Sequence, residues 1–330
     1  MSPRFLLLFF LQLGCSDETT EGGFKVSTRD GDTGVSATSE CEDHSGYLNL
    51  SWPVVGTDGH DWVLVNYVDA DRGEGMADYA GGLDGLAKTY DGHRGVDISI
   101  SSFREMDAGV SVVAAVPGVV EYVIDGFEDR HTECVDYDAN IVGVRHSSGH
   151  LLHYVHLKTG SVAVSVGEEV MTGDVLGQVG SSGCSTHPHL HFEITDSTGD
   201  WVDPFAEDLW CDPPLYETPI HLMETWVIQG PSDQYENPYQ DPPAETDVFD
   251  VGELLVAHFV VAGGDVGDTV GVSFVGPDGT TVGPWPLAFE QVWRLSTWAW
   301  AFNVVEPRGE WSVRYELNGE PYMERTISVE

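Results

Sequence analysis

Apolar and polar positions divide the chain into stretches of different texture. Phe5 to Leu13 (FLLLFFLQL) is an apolar run too short to span a bilayer as a helix. Residues 15–45 then supply Asp, Glu, Ser, Thr and Gly with few apolar side chains, the composition of a flexible tether. From 46 to 212, β-branched runs alternate with glycine-containing turns: VSVVAAVPGVVEYVI, NIVGVRH, LLHYVHL, SVAVSVG, DVLGQVG and HLHFEIT. A 3.6-residue period predicts a helix only near Ala77 to Leu86, so the segment reads as an antiparallel β domain. Residues 213–246 hold DPPLYETP-type and GPSDQYENPYQDPP text and predict a linker. In 247–330, LLVAHFVVAG, DTVGVSFVGPDGTTVG, WRLSTWAWAFNVV and EWSVRYELNGEPYMERTISV alternate around PDG and NG turns, the pattern of an Ig-like β-sandwich. The predicted fold class is all-β, in two domains.

Composition agrees, with 38 Gly and 17 Pro among 330 residues. Fourteen Lys and Arg against fifty-five Asp and Glu give a formal net charge of -41, which repels nucleic acid and anionic polymers and excludes a nucleic-acid function. Substrate recognition is therefore expected to rest on groove shape and backbone hydrogen bonds, by a chain acting as a monomer.

Gly14-Cys15 directly follows the apolar run and precedes the polar SDETTEGG. This resembles the lipobox of bacterial lipoproteins, with Gln12 standing where that pattern prefers Leu. The resemblance implies that residues 1–14 are a removed signal peptide, that Cys15 carries a lipid anchor to the membrane, and that Ser16 favours sorting to the outer membrane. Four cysteines remain: Cys41, Cys134, Cys184 and Cys211. In an exported chain they suggest two disulfides; three pairings are open, and the one favoured is Cys134 with Cys184 and Cys41 with Cys211. No C-x2-C spacing points to a cysteine zinc cluster.

Eight of the thirteen histidines fall between His131 and His191. Three patterns stand out: His93-Arg-Gly-Val-Asp97, His153-Tyr-Val-His156-Leu157 and His187-Pro-His189-Leu-His191-Phe-Glu193. Residues at i, i+2 and i+4 of a strand share a face, so His187, His189 and His191 are expected to project together, as are His93 and Asp97. Two His and one Asp suit a catalytic zinc site with an open position, and two further histidines suit proton transfer beside it. Spacing alone does not say which histidines bind metal.

In this order, HRGVD, YVHL and SSGCSTHPHLHFEI resemble the H-x3-D, Y-x-HL and STGPHLHFE signatures of the lysostaphin-type (LytM-domain) zinc metallopeptidases. GVSVVAAVPGVV, SVAVSVGEEVMTGDVLGQVG and Val202-Asp203-Pro204 resemble further segments of that family, and the likeness runs from Lys88 to Asp208. It implies a LytM-type domain (duplicated hybrid motif-like) over 46–212, one zinc ion per chain, His93, Asp97 and His191 as its ligands, and His156 and His189 as the pair that activates water and steadies the transition state. It further implies hydrolysis of peptide bonds in peptidoglycan stem or cross-bridge peptides by a cell-envelope enzyme. His187 stands where the family commonly has Gly, and Cys184 lies in the same loop. The alternatives are a non-catalytic envelope module that binds wall or activates an amidase, and a zinc peptidase acting on Gly-rich proteins.

His153, His146, His150, His131, His221, His258, His44 and His60 match none of these roles and are expected on the surface or in loops. Glu193 is expected to support His191 or the local structure. HExxH and G-x-S-x-G motifs are absent from the sequence. The tryptophans of the C-terminal segment are expected to pack within it.

Overall fold

The computed structural model describes residues 48–83, 87–132, 138–230 and 244–330. The expected signal peptide, the Cys15 anchor, most of the tether, and both Cys41 and Cys134 with their pairings lie outside the described residues. Among the described residues the chain is nearly all β, and its sheets are antiparallel except for one short pairing.

A seven-stranded sheet is built from β1 (Trp62–Asn66), β2 (Gly95–Ile100), β4 (Gly118–Ile124), β5 (Ile141–Arg145), β6 (Leu151–Val155), β7 (Glu169–Val170) and β9 (His189–Thr195), in the order β1-β2-β9-β6-β5-β4-β7. A small ribbon pairs β3 (Ser111–Val113) with β8 (Val175–Gln178). The alternation in β9 explains its placement. Leu190, Phe192 and Ile194 are wholly buried on one face, leaving His189, His191 and Glu193 on the other. Val96, Ile98 and Ile100 of β2 join the same core. A slip of one residue would drive His191 into that core and expel Phe192, so burial of these side chains, about 1.5–3 kcal/mol each, fixes the register that builds the polar face.

The C-terminal segment packs a three-stranded sheet, β10 (His221–Gln229), β12 (Leu254–Ala262) and β16 (Leu295–Asn303), against a six-stranded one. The latter comprises β11 (Val248–Phe249), β13 (Thr269–Val275), β14 (Thr281–Val282), β15 (Leu287–Ala288), β17 (Gly309–Leu317) and β18 (Glu320–Val329). Their inner faces share one core, which includes Phe259, Phe274, Trp298, Trp300, Trp311 and Tyr315. β11 runs parallel to β18.

Three local features depart from the sequence reading. β10 lies inside the stretch read as a Pro-rich linker, because Leu222, Trp226 and Ile228 supply buried side chains between the proline clusters. Residues 77–83 form a turn closed by an Ala77–Leu83 bridge rather than the start of a helix. There the Asp78 carboxylate accepts the amides of Ala80, Gly82 and Lys88, satisfying the backbone groups that a helix would pair internally. Among the described residues the one helix is instead α1 (Phe103–Ala108), capped by Ser102, whose hydroxyl accepts the Glu105 amide.

β1 is buried on both faces. Trp62 and Leu64 enter the core of the large sheet, whereas Val63 and Val65 pack with Trp226, Ile228, Val256, Val260, Ala262 and Leu295 of the C-terminal sheet.

Candidate metal centre

β2 and β9 are neighbours, with Asp97 directly opposite His191 and Ser99 opposite His189. Facing residues of an antiparallel pair point to the same side, so this register brings Asp97, His189 and His191 together. His93 arrives from the loop before β2. Its carbonyl accepts the Asp69 amide, and its own amide donates to Tyr90.

Tautomers follow from the outer partners. His93 Nδ1 lies 2.7 Å from the Tyr67 carbonyl, which can only accept, so Nδ1 carries the proton and Nε2 presents a lone pair. His191 Nε2 is 3.5 Å from Glu193 Oε2, which leaves Nδ1 facing inward. The inward atoms converge: His93 Nε2 is 3.1 Å from Asp97 Oδ1 and 3.2 Å from His191 Nδ1, and His191 Nδ1 is 2.9 Å from the same Oδ1. His93 and Asp97 are buried, and one ligand atom from each of the three residues falls within 4.8 Å of the others. Lone pairs crowded this way repel unless a cation lies among them, and outer ring nitrogens engaged by a carbonyl and a carboxylate are the usual support of metal-binding imidazoles. The donor set fits a divalent transition metal of the zinc type.

The electrostatics agree. Burial opposes a charge on Asp97, yet the adjacent His93 and His189 and the hydrogen bonds from His191 and His93 hold its carboxyl well below the usual range. For His191, burial works downward, and Asp97 and Glu193 overcome it to raise the imidazole to about 9. The pocket thus attracts positive charge at this point.

A second pair of imidazoles borders the cluster. His156 follows β6 and adopts a left-handed backbone, with φ of 63°. Such a conformation is uncommon outside glycine and, at a site, marks a side chain held in place by its surroundings. Its Nδ1 donates to the Ser182 carbonyl at 2.6 Å. His189 Nδ1 lies 2.7 Å from the His187 carbonyl, and its Nε2 is 3.6 Å from Asp97 Oδ1. The two rings stand 4.7 Å apart, and His156 is 6.0 Å from the ring of His191. Burial, then the neighbouring His189 and His191, lowers His156 to about 3; burial also lowers His189. Both are neutral near pH 7, with Nε2 available as a proton acceptor.

The five residues that the family resemblance implies, His93, Asp97, His156, His189 and His191, come together on one side of the large sheet. His187 does not join them: it precedes β9 and turns its ring toward Phe103 at 6.1 Å, where burial lowers it to about 4. Several histidines expected on the surface are inside. His146 and His258 are buried, and His153 is held by the Tyr122 hydroxyl at 2.5 Å and Thr195 at 3.1 Å, across from Glu193. Beside the site, Tyr90 stacks on His93 at 4.3 Å.

Sequence reasoning missed Asn66, whose amide donates to Asp97 Oδ2 at 2.8 Å. The available signal was a polar residue ending the apolar run WVLV, since a buried Asn asks for a partner.

Residues 91–204 match the model of Peptidase family M23. Over 109 residues the chain is 26% identical to an "Uncharacterized metalloprotease" of Buchnera aphidicola, covering 33% of this chain and 24% of that protein. Over 102 residues it is 33% identical to the peptidoglycan DD-endopeptidase ShyC of Vibrio cholerae, covering 31% of this chain and 20% of that one. The chain thus spans a quarter or less of these curated relatives. Among solved structures, a variant of the catalytic domain of the prophage-encoded M23 protein EnpA from Enterococcus faecalis aligns at 22% identity and a TM-score of 0.32, covering 46% of this chain and 94% of that one. The catalytic domain of lysostaphin from Staphylococcus simulans aligns at 24% identity and 0.27, covering 42% and 86%.

Proposed function

We propose, from the premise that residues 91–204 form a Peptidase family M23 domain, that this protein is a zinc-dependent endopeptidase that hydrolyses peptide bonds in peptidoglycan stem or cross-bridge peptides. The observation that carries the reading is the convergence of His93 Nε2, Asp97 Oδ1 and His191 Nδ1. His93, Asp97 and His191 would hold a zinc ion, which when bound would supply Lewis-acid chemistry at the scissile carbonyl and lower the pKa of a water beside it.

The remaining work falls to the chain's own residues. Asp97 stays ionised and balances positive charge at the centre. Tyr67 and Glu193 keep the outer ring nitrogens of His93 and His191 occupied, so their inner nitrogens stay aimed. His156 and His189, neutral and anchored through Nδ1, offer Nε2 to take a proton from the attacking water and return it to the leaving amine. Tyr90, stacked on His93, offers an aromatic surface beside the centre for a peptide substrate.

The reading extends to the cell envelope: an exported protein with residues 1–14 removed, a lipid at Cys15, and disulfides joining Cys134 to Cys184 and Cys41 to Cys211. The even set of four cysteines that remains after Cys15 supports an oxidising compartment. The peptidase domain occupies 46–212, and the sandwich, whose first strand is β10 (His221–Gln229), follows it.

The test is digestion of sacculi by the full chain with zinc, followed by mass spectrometry of released muropeptides, beside casein and elastin. New amines from sacculi, lost in His156→Ala, are expected. No release, with His156→Ala matching wild type, overturns the reading and leaves a binding module; cleavage of the proteins alone assigns a different substrate.

A further inference from the structure

The C-terminal sandwich reaches the metal centre through one side chain. β1 and β2 pair as Trp62 with Ile100, Val63 with Ser99 and Leu64 with Ile98, after which the register shifts and Asn66 stands opposite Asp97. The extra residue is a bulge, which re-aims side chains at the end of a strand. Val63 shares a face with Ser99, and Ser99 with His189, so the sheet face that Val63 and Val65 offer to the sandwich is also the face of the metal cluster. Arg294, immediately before β16 in the sandwich, crosses this boundary. Its Nη1 donates to the Asn66 Oδ1 at 2.5 Å and to the Val65 carbonyl, and its Nη2 donates to the Ala87 carbonyl at 3.2 Å.

The chemistry of these groups fixes the direction of the chain of bonds. A guanidinium has only donors, so Asn66 must turn its oxygen to Arg294 and its NH2 to Asp97 Oδ2. Asp97 Oδ2 is thereby occupied, and Oδ1 alone faces His93 and His191. Without Arg294 the amide is free to flip and set oxygen against carboxylate.

We propose that Arg294 is a positioning residue for the metal site, holding the Asn66 amide in the orientation that aims Asp97 Oδ1, so that the sandwich completes the centre rather than merely accompanying it. This rests on the reading of His93, Asp97 and His191 as metal ligands.

Zinc affinity of the full chain, measured by competition with a chromophoric chelator alongside thermal unfolding, tests it in wild type, Arg294→Ala, Arg294→Lys, Asn66→Ala and Arg294→Ala/Asn66→Ala. The expected result is a loss of affinity of about 10-fold or more in Arg294→Ala, partly restored in Arg294→Lys, with the double variant no worse than Asn66→Ala. A guanidinium that only glues the two parts together would lower the unfolding temperature and leave the affinity of the folded protein alone. Wild-type affinity in folded Arg294→Ala, or losses that simply add in the double variant, overturns the proposal while leaving the metal centre intact. If Arg294→Ala does not fold, the same comparison is made with Arg294→Lys in the two Asn66 backgrounds. Absence of stoichiometric zinc from wild type overturns the metal centre, and this relay with it.

Discussion

Gly95 lies so close to His191 that a Cβ placed on it would fall 2.7 Å from the imidazole Nε2 and 2.6 Å from the Phe192 carbonyl. The glycine inside HRGVD is therefore a packing requirement of the site: β2 and β9 pair tightly here because no side chain separates them. Gly95→Ala is expected to displace His191, destabilise the protein by about 1–3 kcal/mol, and weaken metal binding. Denaturant unfolding with and without zinc measures both effects; a variant with wild-type zinc affinity would show that His191 has room to move.

Glu193 occupies the outer nitrogen of His191 at 3.5 Å. Removing that acceptor in Glu193→Ala frees the ring to rotate and lowers its basicity. Metal affinity is expected to drop about 10–100-fold, readable by chelator competition, with little change in the melting temperature of the metal-free protein.

His156 touches none of the three converging donor atoms, and its left-handed backbone aims it from the end of β6. His156→Ala is expected to keep stoichiometric zinc while kcat on sacculi falls by about 10²–10⁴. KM should change far less. Loss of the metal in this variant would move His156 into the ligand set.

His258 makes a separate prediction, about stability. Its ring lies flat on Trp226, 5.0 Å away with planes 3° apart, wholly buried, and neither nitrogen has a partner. Burial, assisted by the charge of Arg104, lowers it to about 4 from an ordinary 6.5. The unfolded chain takes up the proton more readily, so this residue's contribution is intact above pH 6.5 and is lost as pH falls toward 4. The loss approaches about 3 kcal/mol. His258→Phe, which keeps the stack, should narrow the stability gap between pH 7.5 and pH 4.5 measured by urea unfolding; an unchanged gap refutes the assignment.

What the sequence disclosed, and what it hid, follows from distance along the chain. Asp97 and His191 were legible because each sits in an alternating strand, where period two alone separates the polar face from Val96, Ile98, Leu190 and Phe192. His187 satisfies the same spacing but falls before the strand begins, where the rule no longer applies. Asn66 and Arg294 are 228 residues apart, and a bulge had to turn one toward the other; no local pattern encodes that meeting. His258, expected on the surface, is buried because LLVAHFVVA surrounds it, and an apolar run of that kind marks a strand covered on both sides. At Asp78 the apolar spacing predicts a helix where a turn forms, because spacing cannot reveal a carboxylate that captures three backbone amides.

The double burial of β1 has a practical consequence. Trp62 and Leu64 answer to one core and Val63 and Val65 to another, so the strand works as a party wall between two houses. Demolishing either side leaves the other weatherless: a truncated chain ending before His221 would bare Val63 and Val65, and the sandwich alone would bare Trp226, Val256 and Val260. Fragments cut along the apparent domain boundary are therefore expected to be sticky and short-lived, and the smallest well-behaved unit of this protein is the pair.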